Sequence, residues 1–276
     1  MADYERLKRF ARWILHGVPI KKVYASVNQI HQGEILKGRH IVVTGGGHGI
    51  GEKITSKCIS EGAYVLIVGR NEDKLKETCQ RFGNKADYLV FDLDNASCME
   101  SLFKEIIVKM PEVDSLVCNA GVSLHEGNIL KVTTDQFEKQ IRINLESVYF
   151  LIKEFIKNKS NREITILCIS SERGIQRDDL PYGLTKAAVN SLVGGITKRF
   201  YKSGVRINAI APGITTSDLT KKTSADDIAL DRVTPGRYIL GEEIAEVACF
   251  LLSDASKCIS GEVIACDAGE YLSSYL

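Results

Sequence analysis

From residue 40 to residue 266, short apolar runs alternate with segments of helical periodicity, and this alternation restricts the fold more than any other feature. The runs at 40–43, 64–68, 88–91, 115–118, 164–169, 206–210 and 262–266 predict strands, and segments such as 50–61 and 73–82 predict helices. Strands that are apolar nearly throughout, each followed by a helix, form parallel sheets covered on both faces. The sequence therefore predicts the α/β class, with a doubly wound parallel sheet.

Residues 1–37 precede the first predicted strand and are rich in arginine and lysine. Leu7, Phe10, Ala11, Ile14 and Leu15 recur at helical spacing, with basic residues between them. This pattern predicts a basic amphipathic extension that packs on the main body or on a second subunit, and a membrane-surface or partner-binding role is the alternative. No linker divides residues 38–276, so we expect them to form a single domain.

Composition excludes several classes of protein. The formal net charge of +1 argues against broad neutralisation of nucleic-acid phosphates. The eight cysteines are scattered without a C-x-x-C pair or a signal peptide, which favours reduced thiols in the cytoplasm. No apolar run is long enough to cross a bilayer, and neither His48 nor His125 has ligand-spaced partners for a metal. We expect no nucleic-acid partner, no transmembrane segment and no metal.

A glycine-rich turn joins the first predicted strand directly to a helix. Glycines let the backbone approach a pyrophosphate, and the helix amino terminus supplies N–H donors and a partial positive charge. This arrangement at the first strand–helix junction predicts a Rossmann-type dinucleotide site. The residues expected to bind the cofactor in this turn are Thr44, Gly45, Gly47, His48, Gly49, Ile50 and Gly51.

The turn, T-G-x-x-x-G-x-G, resembles that of the short-chain dehydrogenase/reductase family, and the resemblance extends across most of residues 37–269. It implies that 38–276 form a catalytic domain that binds a nicotinamide dinucleotide. Three further motifs occur in the family's order and add candidate cofactor contacts. These are Asp92 and Leu93 after the third strand, Asn119, Ala120 and Gly121 after the fourth, and Pro212 and Gly213 with Thr215 and Ser217 after the sixth.

The end of the second strand bears on the choice of cofactor. A dinucleotide fold that binds NAD(H) usually places an acid there for the ribose 2′-hydroxyl. Here the chain reads Gly69-Arg70-Asn71, so that no carboxylate repels a 2′-phosphate and Arg70 offers a cationic fork to hold it. The sequence favours NADP(H), with NAD(H) possible, while a solvated surface arginine is the alternative reading of Arg70.

Tyr182 and Lys186 are spaced by four residues, which places both side chains on one helical face. Interconverting a carbonyl and an alcohol requires a group that exchanges a proton near neutral pH. A free tyrosine has a pKa of about 10, and a nearby ammonium favours its phenolate. We therefore expect Tyr182 to be the general acid/base and Lys186 to assist it.

The family resemblance implies the remaining catalytic roles. Ser171, after the fifth strand, would polarise the substrate oxygen, Lys186 would also bind the nicotinamide ribose, and Asn144 would hold a water in a proton relay. Only ten residues separate Ser171 from Tyr182, fewer than the family usually has, so the choice between Ser171 and Ser170 stays open. The shortened loop is polar, which is typical of a solvated loop. Arg173 or Arg177 facing the cleft would instead favour an anionic or sugar-like substrate.

The sequence thus predicts an NADP(H)-dependent oxidoreductase that acts on a small, polar carbonyl or alcohol. The alternative is a catalytically silent nucleotide-binding scaffold or regulator of the same fold. Residues 216–238, rich in Thr, Ser, Asp and Lys, are expected to close over the substrate. The resemblance also implies a homotetramer or homodimer, with 136–155 and 181–201 as contact surfaces.

Overall fold

The computed structural model describes residue 24 and residues 33–159, 161–217 and 219–273. In this part of the chain, seven parallel strands form one sheet in the order β3-β2-β1-β4-β5-β6-β7. Their bounds are β1 His40–Thr44, β2 Tyr64–Gly69, β3 Ala86–Val90, β4 Ser115–Cys118, β5 Ile164–Ile169, β6 Val205–Pro212 and β7 Val263–Cys266.

Helices follow the strands along the chain. They are α1 Gly49–Ser60, α2 Glu72–Phe82, α3 Met99–Lys109, α4 Thr134–Ile141, α5 Ser147–Lys157, α6 Pro181–Phe200, α7 Gly241–Leu252 and α8 Glu270–Ser273. A π-helical turn at Arg142–Glu146 joins α4 to α5. The prediction of a doubly wound α/β sheet in one domain is confirmed.

The sheet is buried on both faces, because successive residues of a strand point to opposite sides. On one face, Val42 and Leu66 belong to a core with Phe103 of α3 and Val189 of α6. On the other face, Ile41 and Ile67 belong to a core completed by side chains of α1, α2 and α7. The strand order reverses between β2-β1 and β4-β5, so a crevice forms at the carboxyl ends of these strands.

The predicted strands lie within two residues of those in the structure. The largest differences are at β3, which begins at Ala86 and not at residue 88, and at β6, which ends at Pro212 and not at residue 210. Asp87 interrupts the apolar pattern, but β3 is an edge strand, and the Asp87 carboxylate contacts Lys109 at its solvent-facing side. A charged residue is tolerated at such an edge, which is why apolar periodicity missed the start of this strand.

Most of residues 1–37, including the five apolar positions of the predicted amphipathic helix, lie outside the described residues. Where the chain is described again, it is attached to the main domain. Leu36 is fully buried, and its N–H donates to the carbonyl of Glu61 at 2.9 Å. Burial alone would raise the pKa of the Glu61 carboxylate, but Lys57 and the backbone of Ile35 and Gly33 lower it.

Candidate active site

The glycine turn after β1 is shaped by positions that leave no room for a side chain. Gly45 and Gly49 have positive φ angles of 67° and 54°, which favour glycine. A Cβ on Gly51 would lie 2.2 Å from the carbonyl oxygen of Gly45, so the first turn of α1 packs directly on the loop. Ile50 lies in the first turn of α1, which begins at Gly49. The cradle fits the pyrophosphate of a dinucleotide.

The segment after β4 fixes this turn from the side. The Asn119 side-chain amide donates to the carbonyls of Thr44 at 3.0 Å and Gly45 at 3.2 Å. The N–H of Ala120 donates to the buried Thr44 hydroxyl at 3.2 Å. These bonds cross between neighbouring strands, so the cradle depends on the β1–β4 pairing as well as on its glycines.

Two predicted cofactor contacts lie at the ends of β2 and β3. Arg70 is exposed just after β2, while the next residue, Asn71, caps α2 by accepting from the N–H of Lys74 at 3.1 Å. After β3, Asp92 is exposed and accepts from the N–H of Asp94, while Leu93 is buried. Both Arg70 and Asp92 are therefore accessible at the carboxyl edge of the sheet.

A turn after β6 closes the crevice on its far side. The N–H of Gly213 donates to the carbonyl of Cys266 at 3.0 Å, and the Thr215 hydroxyl donates to the Gly213 carbonyl at 2.9 Å. The Ser217 hydroxyl donates to the Thr215 carbonyl at 3.3 Å. A Cβ on Gly213 would lie 2.9 Å from the Asp267 Cβ, so Pro212-Gly213 is packed tightly against the turn after β7.

Helix α6 carries both Tyr182 and Lys186. The Lys186 Nζ lies 5.7 Å from the centre of the Tyr182 ring and donates to the Ile169 carbonyl at 2.7 Å. Only 5% of Lys186 is exposed, and this burial lowers its pKa to about 8. Its ammonium can therefore exchange a proton close to neutral pH.

The serines at the end of β5 point in different directions. Ser171 lies beside Tyr182 and, against the effect of burial, lowers the pKa of its phenol. Ser170 instead donates to the Asn190 side chain at 2.6 Å, within the packing between β5 and α6. The structure thus brings Ser171 and not Ser170 to the tyrosine hydroxyl.

Asn144 is positioned by the π-helical turn before α5, a feature that the sequence did not reveal. Its side chain is 1% exposed and makes two reciprocal bonds with the backbone of Val122, each 2.8 Å long. Its amide also donates to Thr185 at 3.4 Å, one residue before Lys186. A Cβ on Gly121 would lie 3.3 Å from Asn144 Oδ1 and 3.4 Å from Lys186 Nζ, so both groups face the same small space.

The shortened loop after β5 contains an ion pair beside the tyrosine. The Arg173 guanidinium contacts the Asp178 carboxylate, with Nε–Oδ2 and Nη2–Oδ1 distances of 2.6 and 2.7 Å. Its Cζ lies 6.0 Å from the centre of the Tyr182 ring. Arg177 is exposed. Of the two arginines of this loop, Arg173 therefore lies beside Tyr182, but its charge is already paired.

Glu172 is a second group in this loop that sequence reasoning did not single out. One of its carboxylate oxygens is buried without a hydrogen-bond partner in the described part of the chain. Burial, reinforced by the charge of Asp267, raises its pKa to about 7. Glu172 lines a small cavity of about 10 Å³ with Gly213 and with Val233 and Pro235 of the predicted substrate segment.

Residues 33–159, 161–217 and 219–273 contain no group of three acidic, histidine or cysteine side chains placed to hold a metal. Over the same residues, every helix is too short or too polar to span a bilayer.

The comparisons with known proteins agree on one family. A family model described as enoyl-(acyl carrier protein) reductase matches residues 45–270. A 3-oxoacyl-[acyl-carrier-protein] reductase of Rickettsia felis is 32% identical over 241 residues, which cover 85% of this chain and 97% of that protein. An L-rhamnose 1-dehydrogenase (NADP(+)) of Thermoplasma acidophilum is 29% identical over 246 residues, covering 85% of this chain and 96% of the relative.

A solved structure also resembles this chain closely. The 3-ketoacyl-(acyl-carrier-protein) reductase of Brucella melitensis, complexed with NADH, superimposes with a TM-score of 0.77 at 26% sequence identity. The match covers 86% of this chain and 99% of that one.

Proposed function

This chain belongs to the short-chain dehydrogenase/reductase family of oxidoreductases, and we propose that it transfers hydride between NADP(H) and a small, polar carbonyl or alcohol. The family fixes the class of reaction, since the relatives are named as a 3-oxoacyl reductase and a sugar dehydrogenase. The observation that carries the proposal is the arrangement around Tyr182. Ser171 lies beside Tyr182, and buried Lys186 lies one helical turn away.

The proposed mechanism assigns one task to each polar group. The bound nicotinamide supplies or accepts the hydride. In reduction, Tyr182 donates its proton to the developing alkoxide while Ser171 donates a hydrogen bond to the same oxygen; in oxidation, Tyr182 takes the proton back. Lys186 would hold the nicotinamide ribose and replenish the proton, and Asn144 would hold a water that connects Lys186 to solvent.

The structure suits a dinucleotide, and Arg70 supports the choice of NADP(H). The cradle formed by Gly45, Gly49 and Gly51 accommodates a pyrophosphate, and exposed Arg70 has room to meet a 2′-phosphate. Asp92 and Leu93 would contact the adenine, Asn119 to Gly121 would lie against the cofactor, and Thr215 and Ser217 would meet the carboxamide with Pro212 and Gly213. Two relatives illustrate both possibilities, since one is named for NADP(+) and the other holds NADH.

A test of the cofactor choice is Arg70→Ala. Losing one charge-assisted contact to phosphate should weaken NADPH binding by roughly tenfold, and NADH binding by less than about twofold. Titration of each cofactor by fluorescence measures both affinities. An equal loss for the two cofactors would refute the proposed role of Arg70.

We further propose that the enzyme is a cytoplasmic homodimer or homotetramer. The eight cysteines are free thiols, as expected in a reducing compartment. Phe137, Tyr149 and Leu184 are each more than 40% exposed on α4, α5 and α6. A second copy of this chain would cover these apolar side chains. Sedimentation of the purified protein tests the oligomeric state.

The proposed activity is tested by following NADPH oxidation with a panel of small carbonyls, including acetoacetyl-coenzyme A, and NADP⁺ reduction with free sugars. We expect turnover with at least one polar compound. Tight NADPH binding with no turnover across the panel would instead support the silent scaffold.

A further inference from the structure

Arg173 occupies a position from which its charge acts on the catalytic tyrosine. It follows Ser171 by two residues, and its guanidinium Cζ lies 6.0 Å from the centre of the Tyr182 ring. About a third of the side chain is exposed, so its charge is only partly screened by water. Lys186, in contrast, directs its ammonium to the carbonyl of Ile169.

The surrounding residues fix this arginine in place. Its partner Asp178 is 7% exposed and also accepts from the N–H of Leu180 at 3.0 Å, immediately before α6. A Cβ on Gly183 would lie 2.0 Å from the Asp178 carboxylate, so the carboxylate occupies space that only glycine leaves free. Asp178 therefore ties Arg173 to the first turn of α6, the turn that carries Tyr182.

The groups around Tyr182 have opposite effects on its pKa. Burial raises the pKa of Tyr182, the hydrogen bond with Ser171 and the charge of Arg173 lower it, and the neighbouring Glu172 raises it. The charged groups that face Tyr182 are thus Glu172 and Arg173 from the loop after β5, with Asp178 paired to Arg173, and Lys186 from α6. Of these, Arg173 is the cation whose charge lowers the pKa of the phenol.

We propose that Arg173 is a positioning residue that stabilises the ionised form of Tyr182, as a second cation of the site beside Lys186. The Arg173–Asp178 pair is oriented so that the guanidinium lies over the ring while Asp178 is held at the start of α6. Arg173 therefore acts through Tyr182 and is not a receptor for an anionic substrate. The inference rests on the proposed role of Tyr182 as proton donor and acceptor.

The test is a titration of Tyr182 itself, which does not require turnover. Phenolate absorbance is followed against pH in the intact protein with saturating NADP⁺, and the trace of Tyr182→Phe is subtracted to isolate the one tyrosine. Loss of a cation at this distance in Arg173→Met should raise the midpoint by about one pH unit. Arg173→Lys keeps the charge and should return the midpoint most of the way to that of the unaltered protein.

Two variants separate charge from structural damage. The double variant Arg173→Met/Asp178→Asn leaves no unpaired buried carboxylate, so it should fold even where the single variant fails. It should show an upward shift smaller than that of the single variant, because the Asp178 charge no longer opposes ionisation of the phenol. Arg177→Met removes an exposed arginine of the same loop and should leave the midpoint within about 0.2 units. An unchanged midpoint in the double variant, or a shift in Arg173→Lys as large as in Arg173→Met, would overturn the inference.

Kinetics provide the second measurement once a substrate is known. In alcohol oxidation Tyr182 must be ionised, so kcat/KM of Arg173→Met should fall about tenfold below the midpoint and approach that of the unaltered enzyme above it. An equal loss at every pH would indicate mere distortion and contradict the proposal. Should the carbonyl panel give no turnover, the proposed function fails while the titration still decides the role of Arg173.

Discussion

The glycine turn after β1 and the loop after β5 lie on the same edge of the sheet, but different forces shape them. The turn is defined by backbone packing, since a single added carbon at Gly51 would overlap the Gly45 carbonyl. The loop is defined by side-chain charges, with the Arg173–Asp178 pair on one side of Tyr182 and the partly buried Glu172 nearby. Cofactor binding should therefore be sensitive to the volume of side chains added at the turn, and proton transfer should be sensitive to the charges of the loop.

The largest effect is expected at the loop side of this comparison, from Tyr182→Phe. Removing the hydroxyl eliminates proton transfer, so kcat should fall on the order of 10³-fold, while NADPH affinity should change less than about twofold. Stopped-flow turnover and cofactor fluorescence measure the two quantities. Retention of a tenth of the activity would contradict the role of Tyr182. It would also contradict the expectation that the loop side of the site controls proton transfer while the glycine turn controls binding.

A smaller effect, on binding, is expected from Gly51→Ala in the turn. The added Cβ must displace the Gly45 carbonyl, at a cost of about 1–3 kcal/mol, so NADPH affinity should fall roughly 10- to 100-fold. Gly195→Ala is the matched control, because its Cβ meets nothing within 4 Å on α6. The control should bind NADPH normally and gain up to about 1 kcal/mol of stability. Equal affinities in the two variants would show that packing does not define the cradle.

The smallest effect concerns the stability of the loop and depends on pH. The pKa of Glu172 is raised from 4.5 to about 7, because the protonated carboxyl is favoured in the folded protein. Its contribution to the free energy of unfolding is therefore full below about pH 4.5 and is lost as pH rises through about 7. Glu172→Gln cannot ionise. The variant and the unaltered protein should have equal free energies of unfolding near pH 5. Near pH 8 the variant should be more stable by about 1 kcal/mol after allowance for solvent screening.

Thermal melts at the two pH values measure this difference, which corresponds to a Tm increase of about 2–4 °C near pH 8. A gain of equal size at both pH values would indicate better packing by glutamine. In that case, charge would not be what distinguishes the loop from the turn.

Much of the fold could be predicted from local patterns. Apolar runs gave all seven strands to within two residues, and the start of β3 was missed because a charged residue is tolerated on an edge strand. The glycine turn was equally evident, since its conformation depends on residues close together in sequence. The spacing of Tyr182 and Lys186 placed them on one helix, α6.

Other parts of the candidate site depend on contacts that no local pattern records. The selection of Ser171 over Ser170 follows from the direction in which β5 ends, and Asn144 is oriented by a π-helical turn and by Val122. Gly183, a glycine that follows the tyrosine within a helix, was a faint sequence signal of the contact with Asp178. Its meaning emerged only when the loop was seen to fold back onto α6.

The sequence by itself determined the sheet, the glycine turn and the placement of Tyr182 and Lys186 as a pair on one helix, because periodicity, glycine conformation and helical spacing act over a few residues. Only the tertiary structure decided the electrostatic setting of that pair. Burial lowers the pKa of Lys186 to about 8 and raises that of Tyr182, and the loop places Arg173 beside the ring. Charge and desolvation act through space, and their strength is set by what the fold brings near and removes from water.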